Sequence, residues 1–421
     1  MSEIVYSIGI YLLSSLYRIA AWFNPKAAAF NKGRSTQAHA LRSTFPLADQ
    51  GQLVWVHCAS LGEFEQGRPV IEAIKAWRPS VKIFLTFFSP AGYEVRKNYP
   101  LADYVFYLPW DTRKNAEWFA ENIKPTLAVF VKYEFWYHYS QAMKGRHVPL
   151  ISISAIFRPD QIYFKSRGGL FRSILRSFHF FFVQNQESLE LLNSIGISNA
   201  AWAGDTRFDR VNQIAHQSSE NLIAAKFKQS KQLLVIGSAW EDDMNVLIPF
   251  INKYKGTIKF IVAPHEISEK FLLSIEYNVE GKTERYTAAS EQTVAEADVL
   301  LVNKVGMLSQ LYRYGEFAFV GGGYKEGLHN ILEAACYGIP IFFGDKAFNK
   351  FQEALDLIAH GGAFPIHNFK HLDETYLKFS KDPKSYQDAC DTTKHYVQSN
   401  LGATEKITGY CKKILEGWKG A

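Results

Sequence analysis

Residues 53–58 read LVWVHC, residues 59–77 read ASLGEFEQGRPVIEAIKAW and residues 82–88 read KIFLTFF. A short apolar run rich in valine and aromatics, an amphipathic stretch with a helix near Pro69 to Trp77, and a second apolar run form the pattern of a βαβ unit with buried parallel strands. The rhythm continues outward with VFYL (105–108), a helix near Asn115 to Glu121, LAVFV (127–131), PLISIS (149–154) and FHFFFVQN (178–185). A polar segment from Arg210 to Asn221 interrupts it, and QLLVIGS (232–238), KFIVAP (259–264), DVLLVN (298–303), FAFVGGG (317–323) and IPIFFG (339–344) resume it. The expected fold class is α/β, with two doubly wound domains. The first covers residues 35–209, and residues 210–221 are a linker. The second covers 222–421, its last helix able to pack back on the first domain. Ligands of such sheets bind beyond the carboxyl ends of the strands, which directs attention to the loops there.

A chain of 421 residues is too long for one core and suits two or three domains. Apolar residues at 47% and charged residues at 21% exclude disorder by composition. A net charge of +6 suits an anionic ligand or membrane surface but falls short of a nucleic-acid binder, so no nucleic acid is expected. Cys58, Cys336, Cys390 and Cys411 are far apart, without a CxxC or Cys/His cluster, which suggests neither a disulfide scaffold nor a metal site and fits a reducing cytoplasm.

Ile4 to Phe23 (IVYSIGIYLLSSLYRIAAWF) is about long enough to span a bilayer but carries Arg18 and is interrupted by Ser7 and the pair Ser14-Ser15. The leader is acidic and lacks a cleavage site, so a removable signal is not expected. Lys26, Lys32 and Arg34 follow it and would keep the body cytoplasmic. Residues 1–34 are expected to form a membrane-associated helix with a basic flank; the blander alternative is an amphipathic helix packed on the domain.

Two loops carry candidate chemistry. After FAFV comes GGGYKEGLHNILEAACYGIP (321–340). Glycines let backbone approach a ligand, and a helix starting near His329 or Asn330 would offer amides and its positive dipole end to a phosphate. Glu333 could hold the hydroxyls of a ribose. The alternative is a tight turn with Asn330 as helix cap. After LVWVHC, the turn with Ser60, Gly62 and Glu63 sets a carboxylate at the top of the sheet as a candidate general base, or as a helix-start carboxylate stabilised by the dipole.

HCASLGE (57–63), TFFSPAGYE (86–94), VKYEFWYH (131–138), VQNQES (183–188), GDTRFD (204–209), the 321–340 loop and GDKAFNKF (344–351) together resemble, in order and spacing, the motifs of 3-deoxy-D-manno-octulosonic acid (Kdo) transferases, the lipid A glycosyltransferases of Gram-negative bacteria. The resemblance implies a GT-B fold whose two Rossmann-like domains face a cleft. It also implies inverting transfer from CMP-Kdo to lipid IVA or a related lipid A precursor, without cofactor or metal, at the cytoplasmic face of the inner membrane. It makes Glu63 the general base and Glu134 the second carboxylate. It gives donor contacts to Ser60, Gly62, Ser238, Trp240, Glu241, His265, Gly322, Gly323, Lys325, Asn330, Glu333 and Asn349. The chain departs from the family where P-R-H-P reads Ala263-Pro264-His265-Glu266, where an acidic motif reads Val302 to Leu308, and where W-P-N reads Trp136-Tyr137-His138. The cation meeting the donor phosphate is thereby open among Lys325, Lys304 and Lys346.

Between Phe157 and Phe182, Arg158, Lys165, Arg167, Arg172 and Arg176 alternate with aromatic and aliphatic residues. This suits lipid phosphates and headgroups, each cation adding roughly 1 kcal/mol near an anionic surface. A solvated helix face beside the buried strand FHFFFV is the alternative. A nucleotide-sugar epimerase, a transferase using a UDP-sugar and a non-catalytic membrane-associated binding protein remain competing functions, because fold does not fix reaction. The two domains are expected to close on the donor about the 210–221 stretch.

Overall fold

The computed structural model describes residues 2–46, 51–217 and 220–417. The chain divides into two compact units, Met1–Arg210 with Leu401–Ala421, and Val211–Asn400.

The first unit holds β1 (Leu53–Cys58), β2 (Lys82–Phe87), β3 (Tyr104–Tyr107), β4 (Leu127–Val131), β5 (Leu150–Ala155), β6 (Phe180–Val183) and β7 (Ala200–Trp202), all parallel, in the order β3-β2-β1-β4-β5-β6-β7. Successive side chains of a strand point to opposite faces. Trp55 therefore joins Phe84, Phe119 and Phe130 in one core, while Val54 and Val56 join Phe64, Ile71 and Ile153 in another. Burial on both faces is why these strands read as unbroken apolar runs. The helix Ala403–Glu416 completes the second of these cores with Ile407, Cys411 and Leu415, one residue per turn. Asp209 ties down its start by accepting from the amides of Gly402 and Thr404 at 2.7 and 2.6 Å.

The second unit holds β8 (Leu233–Ala239), β9 (Lys259–Pro264), β10 (Thr283–Arg285), β11 (Val299–Leu301), β12 (Phe317–Val320), β13 (Ile341–Gly344) and β14 (Ala363–Ile366). Their order is β10-β11-β9-β8-β12-β13-β14, again all parallel. In each sheet the strand order reverses beside the unit's first strand, between β1 and β4 and between β8 and β12. These are the topological switch points where doubly wound sheets bind ligands.

The helix expected near Pro69 to Trp77 starts earlier, as α3 (Leu61–Trp77), with Pro69 inside it. Phe64, buried against Phe87 and Tyr99, anchors the added turns. The stretch 210–221, read as a polar linker, is helical as far as Gln217, in a helix that begins at Thr206 and buries Phe208 and Val211 one turn apart.

At the amino terminus α1 (Ser2–Ala20) and α2 (Pro25–Thr44) meet at 118°. Among the described residues no single helix is long and apolar enough to cross a membrane. One face of α1 is docked: Tyr6 donates to Asp111 at 2.6 Å, Ser7 lies 2.9 Å from His138 Nε2, and Ile10 and Ser14 are buried. The other face exposes Ile4, Val5, Ile8, Leu12, Leu16 and Ile19, followed by Trp22 and Phe23. Arg34, expected as part of a basic surface flank, is instead buried, stacked on Phe30 and Phe88.

Candidate active site

Ser60 precedes α3 immediately beyond β1, and Glu63 lies in the first turn of that helix. The Ser60 hydroxyl donates to Glu63 Oε2. This leaves the other carboxylate oxygen to accept a further proton donor. Gly62 is exposed beside them. Glu134 comes from the neighbouring loop, beyond β4, so the topology brings the two carboxylates to the same switch point. Both charges act on one atom. Burial, and then the charges of Glu63, Glu134 and Glu65, push the Cys58 thiol well above its ordinary range.

Glu134 is held from two sides. The indole of Trp136 donates to its Oε2 at 2.7 Å, and His57 Nε2 lies 3.1 Å from the same oxygen. His57 is fully buried on β1, and its Nδ1 is 2.9 Å from Thr86 Oγ1, which accepts from the Trp55 indole at 2.8 Å. An indole nitrogen only donates, so the arrangement that satisfies every member has the Thr86 hydroxyl donating to Nδ1 and the His57 Nε2 proton directed at Glu134. Lys132, two residues before Glu134, adopts φ +65°, a left-handed conformation that turns the chain sharply out of β4.

In the second unit the expected donor residues lie on the loops after β8, β9, β12 and β13, around the second switch point. Ser238 has φ +52° at a bulge in β8. Trp240 then caps the helix Glu241–Tyr254, whose first residue is the exposed Glu241. The Trp240 ring stacks on His265 at 4.4 Å, and His265 stacks on His329 at 4.4 Å. The Trp240 indole donates to His329 Nε2 at 2.9 Å, and burial, followed by the charge of His265, lowers His329 to about 4, which keeps that imidazole neutral.

Asp243 Oδ2 accepts from the amides of Trp240 and Gly322, both at 2.9 Å, and so fastens the glycine loop to this helix start. Gly322 sits at φ +86°, and a Cβ on Gly323 would run into the Gly344 carbonyl, so the loop needs both glycines. Asn330 contacts Glu333 Oε1 at 3.3 Å, and Ser309 donates to Glu333 Oε2 at 2.5 Å. Lys325 is exposed and pairs with Glu326 at 3.8 Å, while Asn349 is exposed on the loop after β13. One expectation fails here. The helix after the glycine loop is only Leu332–Ala335, too short for a macrodipole, so an anion at this loop would be met by backbone amides and side chains.

The basic aromatic stretch divides by chemistry. Phe157, Ile174 and Leu175 are buried, and Phe164 and Phe171 pack on the same core, so its apolar residues face inward. Arg158, Lys165, Arg167 and Arg176 are exposed. Arg172 donates to the carbonyls of Tyr163, Lys165 and Ser166, which makes it a brace for the loop and removes it from the cations offered to a headgroup. Tyr133 lies within the fields of both Arg158 and Glu63, which links that loop to the carboxylate site. Reading the sequence did not single out His57, Thr86, Asp243, His329 or Ser309 as individual site residues. His57 and Thr86 do stand in the quoted motifs, but a histidine inside an apolar strand reads as core.

The family model described as 3-deoxy-D-manno-octulosonic-acid transferase (kdotransferase) matches residues 32–210. The 3-deoxy-D-manno-octulosonic acid transferase of Rickettsia bellii is 26% identical over 376 residues, 87% of this chain and 87% of the relative. That of Aquifex aeolicus is 28% identical over 330 residues, 76% of this chain and 83% of the relative. The chain is similar to Kdo transferases along most of its length. It is therefore a glycosyltransferase. Among solved structures, the UDP-GlcNAc 2-epimerase of Neisseria meningitidis bound to UDP-GlcNAc aligns with a TM-score of 0.60 at 15% identity, covering 86% of this chain and all of that one. At that identity the likeness concerns the fold alone, two Rossmann-like domains of the GT-B class. The Kdo transferase matches do not favour the epimerase alternative.

Proposed function

We propose that the protein transfers Kdo with inversion from CMP-Kdo to a hydroxyl of a lipid A precursor such as lipid IVA, in lipopolysaccharide inner-core synthesis. The observation that carries this reading is the Ser60-oriented Glu63 carboxylate at the β1 switch point, which has no cationic partner among the described residues. In the transfer step Glu63 takes the proton of the acceptor hydroxyl as its oxygen bonds to the anomeric carbon of Kdo. The bond from that carbon to the phosphate oxygen breaks, and CMP departs with the electron pair. Glu134, oriented by His57 and Trp136, adds a second negative charge close to that base. In the second unit the Gly321–Gly323 backbone, Asn330 and Glu333 supply polar groups for the nucleotide, and Trp240, His265 and His329 offer a stacked aromatic surface.

The exposed apolar face of α1 supports residence at the cytoplasmic face of the inner membrane, with the helix lying in the interface. The exposed Arg158, Lys165, Arg167 and Arg176 would face anionic headgroups or acceptor phosphates. Incubating the purified chain with CMP-Kdo and lipid IVA and following acceptor mass tests the reaction. Addition of Kdo residues is expected, with CMP bound in preference to UDP. An unmodified acceptor, or preference for UDP, would overturn it.

A further inference from the structure

Between α1, α2 and the loop after β3 lies a cavity of about 460 Å³, lined by Arg18, Lys32, Arg34, Arg42, Trp110 and Trp118 among others. Arg34 is only 9% exposed. Its guanidinium carbon lies 3.6 Å from the centroid of the Phe30 ring, and one nitrogen donates to the Phe88 carbonyl at 2.6 Å. Its Nε and Nη1 are buried without a hydrogen-bond partner. Among the described residues none of the four cations takes part in an ion pair.

A buried guanidinium with two unmet donors costs several kcal/mol unless an anion compensates it. The space in front of it is of the size that holds small molecules, typically ~300–1,000 Å³. Two indoles and the ring of Tyr107 give the same space apolar walls. A bare inorganic anion would leave those walls unused, and a neutral apolar body would leave Arg34 unmet. Arg18 also stands on the helix whose outer face exposes Leu12, Leu16 and Ile19, so the cavity adjoins the surface best suited to lipid.

We infer that this cavity binds a phosphate-bearing amphiphile, its phosphate on Arg34 with Lys32 and Arg42 and its apolar part against Trp110 and Trp118. The inference concerns binding alone and does not require the transfer reaction. It is tested by titrating the full chain, without any sugar donor, with dihexanoyl phosphatidate below its micelle concentration and following tryptophan fluorescence. Saturable binding is expected. It should be at least about tenfold weaker for octyl glucoside, for inorganic phosphate, and for a Lys32→Gln/Arg42→Gln variant, whose two sites are exposed and whose thermal unfolding should match the parent. Equal binding of octyl glucoside, equal binding of inorganic phosphate, an unchanged affinity in the double variant, or no saturable binding of phosphatidate would each overturn it. Competition by a phosphorylated glucosamine-disaccharide lipid separates the sources. Displacement at lower concentration than phosphatidate assigns the cavity to an acceptor-like lipid, and displacement at equal or higher concentration to bulk phospholipid.

Discussion

His57 Nε2 lies 3.1 Å from Glu134 Oε2, at the end of a chain of hydrogen bonds that begins at the buried Trp55 indole, passes through the buried Thr86 and His57 and reaches the partly exposed Glu134. The histidine thus joins the first sheet's core to a carboxylate at its functional edge, and fixes the orientation of that carboxylate from below.

Replacing His57 with Ala should leave the Thr86 hydroxyl proton without its imidazole acceptor and Glu134 held by Trp136 alone, at a cost of about 1–3 kcal/mol for the buried groups. Thermal unfolding reads that loss. Under conditions where the variant is folded, kcat should fall more than CMP affinity, because the residues proposed to bind the nucleotide belong to the other unit. An unchanged kcat would mean that Glu134 needs no such support.

Glu63→Gln keeps the shape of the side chain and removes the proposed base. Transfer should fall by roughly 10²–10⁴-fold while CMP binding persists. Single-turnover transfer at the parent rate would remove Glu63 from that role.

Gly322→Ala should destabilise the donor loop, since φ +86° costs an L-residue roughly 1–2 kcal/mol before any clash with the Gly327 carbonyl. CMP titration calorimetry should show weakened binding with little change in the melting of the first unit. Full CMP affinity would show that the loop can adopt another conformation and still hold the nucleotide.

Asp243 carries a pH signature. Burial raises its carboxyl to about 6 from the usual 3.8, so between roughly pH 4 and 6 the native state holds a proton that the unfolded chain has lost. Its contribution to stability is therefore fully present below that window, falls as pH rises through it by up to about 1.4 kcal/mol per pH unit, and is constant above it. The difference in unfolding free energy between the parent and Asp243→Asn should vary across that window and be flat above pH 7. A difference independent of pH would contradict a raised carboxyl.

Leu12→Asp and Leu16→Asp alter only the outward face of α1 and should each weaken binding to anionic vesicles by about tenfold or more, with little dependence on salt, as expected for lost apolar burial. These substitutions are more informative than removing the whole helix, because truncation would also strip Tyr6 from the buried Asp111. Unchanged partitioning would exclude this face as a membrane contact.

The local alternation of apolar runs and amphipathic stretches determined by itself that the chain forms two parallel α/β sheets, because strands buried on both faces must be apolar throughout. The residue types also marked the loops with Glu63 and the triple glycine, since the chemistry and the turn impose them locally, whereas Glu134 came only through the family resemblance. The alternation did not reveal β7, β10 or β14. These are short edge strands, AAW, TER and AFPI, and pairing on one side only leaves little trace in their composition. The start of α3 was hidden by Pro69, and the helix through Thr206–Gln217 by its polar surface, where burial of Phe208 and Val211 outweighed weak local propensity. Only the tertiary structure decided that Arg34 is an interior cation rather than a surface one, that Arg172 braces a loop, and that His57, Thr86 and Asp243 hold the functional groups. Each of these roles depends on partners between 29 and 79 positions away in the chain, apart from the loop that Arg172 braces, and a single sequence does not say which distant residues a side chain will meet.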